Sequence, residues 1–409
     1  MQTIAARHGR TILLAVAGWS LAWFVTMVWQ GGSSWHFFVQ GARALADLDD
    51  PVRGGLHLYA AAPDLQFGPV AVVATLLAMP FGPNGALLIW QILGAAGGLF
   101  VMWQIRQIAA LTRPDLDRSQ ITLRTAAAAV FVMPVWLFLT VGVTHVDDTL
   151  ALVLTVSAVR TVVSGRPLLA GALVGLAIDA KPWAVPFAVL LLLIGDRRKV
   201  LAAGLVLAAV VAVAWLPFFL ADAGTVHALR YTIRNTQLSA LRVLGVDDPR
   251  TPPWVRPAQA VLGVALGLLA LRRRRWAAVV LLAVCARIVL DPGTNKYYVA
   301  GVVVGAALWD VVGSRRFTPW WTGAAYFLLF NARWVPMPDR LHGWLTLGYV
   351  AATLGLVIKR PFRSGQPLSV HADHLAGYGE RLGTSTPREQ GSRGHDLLLD
   401  HQDPGDHRR

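Results

Sequence analysis

Apolar residues in this chain come in long unbroken blocks rather than at the alternating or stripe-like spacing of soluble strands and helices. Residues 11–29, 85–103, 123–141 and 201–220 each run close to the roughly 20 residues that a helix needs to cross about 30 Å of hydrocarbon. A backbone in lipid must satisfy its polar groups within its own segment, so such blocks are helices. The pattern predicts an all-α, polytopic integral membrane protein with a bundle of about 11–12 transmembrane helices. Two places depart from simple spans. Residues 67–82 are bounded by Pro69 and Pro80 and are short for a crossing, so they read as re-entrant or interfacial. Residues 168–194 have basic residues at both ends and Lys181-Pro182 in the middle, which predicts two half-length helices meeting at an outer tip.

The polar positions between the blocks set an orientation. Basic loops fall at 106–124, 165–167, 196–199, 272–275, 314–316 and 359–363, and cytoplasmic loops carry the excess of Lys and Arg. Placing them all inside leaves a first outer segment at 31–66 and a second outer loop at 221–256. Residues 1–360 then form one membrane-embedded domain of a multi-pass cell-membrane protein, with both termini cytoplasmic. The first apolar block reads as an uncleaved helix, because it is long and ends in Trp29 without a small-residue cleavage site. Residues 361–409 are rich in Gly, Pro, Ser, Asp, Arg and His, and predict a disordered cytoplasmic tail. Its histidines 371, 374, 395, 401 and 407 are irregularly spaced and read as solvated residues rather than a metal tract.

Composition narrows the class further. Hydrophobic residues make up 55% of the chain and charged residues 15%, against about 25% charged in soluble domains; the mean hydropathy is +0.51. A net charge of +14 would suggest nucleic acid in a soluble protein, but here the cations sit between helices and orient them. Nucleic acid is therefore excluded as a partner. The single cysteine, Cys285, lies in an apolar stretch, so no intramolecular disulfide is available.

The chemistry is carried by ionisable residues at membrane depth, which are costly and usually face a cavity or a partner. They come from distant parts of the chain yet share the expected outer side. The first outer segment supplies His36, His57, Tyr59, Asp64 and Gln66; the turn before a mid-chain block supplies His145, Asp147 and Asp148. Lys181 sits at the broken tip, Arg287 precedes the stretch from Asp291, and Lys296 and Tyr297 follow it. Each has an ordinary reading as well. An acid at a helix start caps it, Lys181 can snorkel, and Arg287 can neutralise Asp291. Outward Trp and Tyr residues form an interfacial belt. Together, however, carboxylates can deprotonate an acceptor hydroxyl, and Lys and Arg can hold a phosphate leaving group. No full metal-ligand set and no cofactor motif is visible.

Four stretches carry a family resemblance: Trp35-His36-Phe37-Phe38-Val39 with Gln66-Phe67-Gly68-Pro69; the His145–Asp148 turn; Gly165-Arg166-Pro167 through Ile178-Asp179-Ala180-Lys181-Pro182; and Asn295-Lys296-Tyr297-Tyr298. On these the chain resembles the GT-C class glycosyltransferases, and is most similar to bacterial polyprenol-phosphate-mannose-dependent α-mannosyltransferases. The resemblance implies transfer of a single sugar from a polyprenyl-phosphate donor to a lipid or cell-envelope glycan acceptor, with inversion, at the outer face. It implies that Asp147, Asp148 and Lys181 face the donor, with His57, Tyr59, Gln66, His145, Arg287, Lys296 and Tyr297 lining the substrates. It also implies an acid in the first outer segment as general base. Where that aspartate is expected, this chain has His36, which leaves His36, Asp64, Asp147 and Asp148 as candidates. A transporter or flippase of a lipid-linked anion and a non-catalytic scaffold are the rival readings; one-sided charges and the lack of an inverted repeat weigh against the first.

Overall fold

A computed structural model describes residues 2–293 and 295–359; the expected disordered tail lies outside them. Every regular element among the described residues is helical, apart from one isolated antiparallel bridge between Arg234 and Arg250. The all-α membrane fold expected from the hydropathy pattern is the one observed. Seven helices among the described residues are long and apolar enough to cross a membrane, and Pro167–Ala180, Pro182–Ile194 and Trp276–Val289 are shorter apolar helices. The 18-residue helix Val146–Val163 is as long as some of these but carries Asp147, Asp148 and Arg160.

Burial separates an inner from an outer layer. All ten residues of Val299–Leu308 are buried, as is every residue of Val279–Val289 up to Arg287. In contrast, only 6% of the apolar window of Arg197–Ala221 and 11% of that of Gly9–Val28 is buried. Those outer helices present Leu13, Leu14, Leu201 and Val213 outward, as a helix bordering lipid does. Glycines also allow close contacts between the layers: a Cβ at Gly171 would strike the Ala203 carbonyl, so helices Pro167–Ala180 and Arg197–Ala221 approach backbone to backbone.

The irregular segments follow from local sequence. Pro182 and Pro186 remove N–H donors at the start of Pro182–Ile194, which winds as a 3₁₀ helix and ends at Gly195, φ +77°. Pro69–Ala78, at ten residues, spans only about 15 Å, too little for a crossing. A 3₁₀ turn at Met79–Phe81 and Gly82, φ +73°, separate it from Gly82–Thr112. The Trp35 indole donates to the Pro83 carbonyl at 2.9 Å, holding the start of that long helix beside Trp35–Ala46.

The helices sort their ends by charge. Helix Arg118–Leu137, extended by a π turn to Val143, runs from a basic loop to the turn at His145. Val146–Val163 returns to the next basic loop, and Pro167–Ala180 rises again to Lys181. Val255–Arg272 starts beside Arg256 and ends in the arginine run, while Trp276–Val289 leads from that run back to Arg287. At the basic end, Arg113 donates to the Val312 and Ser314 carbonyls (3.0 and 2.7 Å) and Arg124 to those of Ser314 and Arg315 (3.0 and 2.8 Å). Arg160 bonds Gln104 and covers the Trp103 ring. The basic loops therefore form one end of the bundle, and the acids and tyrosines singled out above collect towards the other.

Candidate active site

The turn at His145 is set by a local break. The π turn Phe138–Val143 ends at Thr144, whose φ of +56° is unusual for a β-branched residue. The His145 N–H reaches back to the Leu139 carbonyl at 3.1 Å, and Val146–Val163 starts immediately after. Asp147 and Asp148 thus enter the first turn of a helix fixed at the end of the bundle opposite the basic loops.

Both acids are held by cations from other helices. Asp147 is fully buried; its carboxylate accepts from His145 Nδ1 (2.9 Å), from the Asp148 N–H (2.8 Å), and from Lys181 Nζ in an ion pair. Asp148 Oδ1 accepts from the Trp183 indole (2.6 Å) and from Arg287 (3.1 Å). The Arg287 guanidinium lies over the rings of Trp183 and Tyr298, 4.3 and 4.9 Å from their centres, and stands 3.7 Å from Asp291. His145 stacks on Tyr297 with ring centres 4.1 Å apart. Capping accounts for part of the role of Asp147, which takes the Asp148 N–H, but not for the two ion pairs. Replacing Trp183 by Phe keeps an aromatic ring under Arg287 and removes the donor to Asp148, so thermal unfolding in detergent should report a loss of about 1–3 kcal/mol.

A cavity of about 260 Å³ opens beside this network. Its walls include Trp183, Trp215 and Pro186, and its polar rim includes Gln66, Lys181, Arg256, Gln259, Arg287 and Asp291. Arg256 bonds the neutral amide of Gln66 across the cavity rim, whereas Lys181 and Arg287 each face a carboxylate. The segment 222–254 covers one side through Ala228, Leu229, Ile233 and Thr251. It is pinned by the Thr236 N–H to the Pro292 carbonyl (3.0 Å) and folded on itself by Asn235, which donates to the carbonyls of Val246 and Asp248.

The residues expected at the site divide accordingly. Gln66, Lys181 and Arg287 line the cavity, and His145, Asp147, Asp148 and Tyr297 form the network behind it. His36 is exposed, its ring tilted against that of Phe37; its helix turns Phe38 inward instead, edge-on to His145. Asp64 is exposed, and His57 pairs with Asp222 at 3.2 Å. Tyr59 is fully buried against Trp215 and Phe218, and Lys296 lies over the Trp334 ring. None of these five lines the cavity. Sequence reasoning passed over Arg256, Gln259 and Trp183. Arg256 stands at the edge of a loop that carries arginines throughout, and a Trp in an apolar stretch gives no sign that it will hold a carboxylate. His145, Asp147 and Asp148 offer ligand atoms within 4.8 Å of one another. Lys181 and Arg287 stand at the other oxygen of each acid, Asp147 Oδ2 and Asp148 Oδ1, while Asp147 Oδ1 and Asp148 Oδ2 face His145.

The model of glycosyltransferase family 87 matches residues 66–292, more than half of the chain. The chain belongs to glycosyltransferase family 87. No curated protein matches it closely. The family 87 match begins at Gln66 and ends at Pro292, so it takes in the buried acids, the broken tip at Lys181, Arg256 and Asp291. Family 87 membership makes this membrane protein a glycosyltransferase.

Proposed function

We propose that the chain transfers a single sugar from a polyprenyl-phosphate donor to a lipid or cell-envelope glycan acceptor, with inversion, at the outer face of the cell membrane. The observation that supports this reading best is the cavity itself. It combines three cationic side chains with tryptophan walls at the end of the bundle away from the basic loops. Basic loops face the cytoplasm, which orients the cavity outward and both termini of the 1–360 domain inward. Arg256 is the cation whose bonded partner is neutral, and a phosphate can replace that amide with a stronger charge-assisted bond. Lys181 and Arg287 add positive potential while remaining bound to Asp147 and Asp148. The tryptophans suit the first isoprene units of the donor or the flat face of its sugar.

The reaction then runs in one displacement. The acceptor hydroxyl oxygen attacks the anomeric carbon from the face opposite the phosphate and gives its proton to a side-chain base, the carbon–oxygen bond to phosphate breaks, and the electron pair leaves with the phosphate. A radiolabelled-sugar assay with polyprenyl-phosphate donors, in membranes carrying the chain, tests this. Transfer to a lipid or glycan fraction is the expected result; labelled donor carried across the membrane unchanged would instead favour transport. Arg256→Leu should raise the donor KM roughly ten- to hundredfold, the loss expected for a hydrogen bond to a charged group. An unchanged donor KM would remove Arg256 from the phosphate.

A further inference from the structure

Among the side chains that line the cavity, one is a carboxylic acid: Asp291. A general base must come within about 2.6–3.2 Å of the proton that it abstracts, so an acid shielded from the cavity is poorly placed. Asp147 has both oxygens engaged, by His145 and the Asp148 N–H on one side and Lys181 on the other. Asp148 keeps Oδ2 without a hydrogen bond, but that atom is buried and lies 3.5 Å from His145. Trp183 and Arg287, which bind the other oxygen of Asp148, are themselves cavity wall. Asp64 and His36 are exposed and outside the lining.

Asp291 is held without being used up. It sits in the turn just past helix Val279–Val289, where its Oδ1 accepts the Gly293 N–H at 2.9 Å. Its Oδ2 is 3.7 Å from Arg287 Nε, an ion pair too long for a hydrogen bond. The adjoining Pro292 carbonyl is fixed by the Thr236 N–H from the covering segment, so the turn is braced from both sides.

We propose that Asp291 is the general base of the transfer reaction. The acceptor hydroxyl gives its proton to Asp291 as its oxygen bonds to the anomeric carbon, and the phosphate departs with the electrons of the broken bond. This rests on the cavity being the transfer site. Burial supports the assignment by pushing the Asp291 carboxyl up to about 6, while Arg287, the Gly293 N–H and Arg256 pull it down and Asp148 adds to the rise. Arg333 and Tyr298 also face Asp291, across a small void on its other side. A carboxyl with that value is ionised at neutral pH yet basic enough to take a proton.

The experiment complements a deletion strain with Asp291→Asn and Asp291→Glu. It follows both the glycan that disappears in the deletion, by mass spectrometry, and transfer from polyprenyl-phosphate donors against pH. Asp291→Asn should cut the transfer rate roughly 10²–10⁴-fold while leaving the donor KM near the wild-type value. Asp291→Glu should keep part of the rate, with the acidic limb of the pH profile displaced from about 6. Should Asp291→Asn fail to fold in detergent, the Glu variant decides alone: an unmoved acidic limb overturns the assignment. Near-normal transfer by folded Asp291→Asn overturns it as well, as does loss of transfer in Asp64→Asn or His36→Ala with Asp291→Asn active. If the glycan depends on the chain but no polyprenyl-phosphate sugar serves as donor, the donor reading fails and the Asp291 assignment is decided by glycan recovery in the variants.

Discussion

Lys181→Met should unfold in detergent with about 3–5 kcal/mol less stability than the wild type, the cost of stranding one member of a buried ion pair. Asp147 has no exposed surface, and Lys181 is the cation on its Oδ2. Removing the ammonium leaves a carboxylate with only His145 and a backbone N–H to offset its desolvation. The loss should be largely reversed when Asp147→Asn is added, because the double variant no longer buries an uncompensated charge. A lysine that merely snorkelled would behave differently: the single variant would melt like the wild type, and the second change would bring no recovery. Transfer activity separates the remaining contribution. If Lys181 also lends potential to the phosphate, the restabilised double variant should fold but retain a raised donor KM.

Gly68→Ala should leave little folded transferase. The Gly68 N–H donates to the Ala180 carbonyl at 2.9 Å, which ties the stretch 66–69 to the tip of the broken helix. A Cβ at Gly68 would overlap the Asp179 carbonyl, a backbone atom that cannot rotate away as a side chain does. Overpacking of an ordinary core costs about 1–3 kcal/mol; here relief requires moving Gln66 and Phe67, which line the cavity, away from Lys181 and Pro182. Expression, detergent melting and donor KM should therefore all suffer together. Gly204→Ala provides the contrast, since nothing lies within 4 Å of a Cβ there. Its helix should tolerate the change or gain up to about 1 kcal/mol from better propensity. Equal behaviour of the two alanine variants would remove the close approach at Gly68 as an explanation.

The membrane class, the broken tip at Lys181 and the grouping of charges at opposite ends could be read from residue order, because each is a one-dimensional property. Hydropathy decides which segments enter lipid, a proline decides where a helix loses its donors, and a cluster of arginines decides which loops stay together. Residue order also brought out His145, Asp147, Asp148, Lys181 and Arg287, since charges in apolar surroundings need partners. It did not decide which partner each would take. The Asp147–Lys181 and Asp148–Arg287 pairs join residues 34 and 139 positions apart, and only the packing of four helical segments brings them together. Helix rotation is likewise a tertiary matter: successive residues on a helix point about 100° apart, so Phe38 reaches His145 while His36, on the same turn, faces outward. Asp291 reads in sequence as the neutraliser of Arg287. In the fold Arg287 is shared with Asp148, and it is Asp291 that borders the cavity. The physical reason is that lipid sorts whole segments by polarity, whereas a cavity is whatever space the packed helices leave between them.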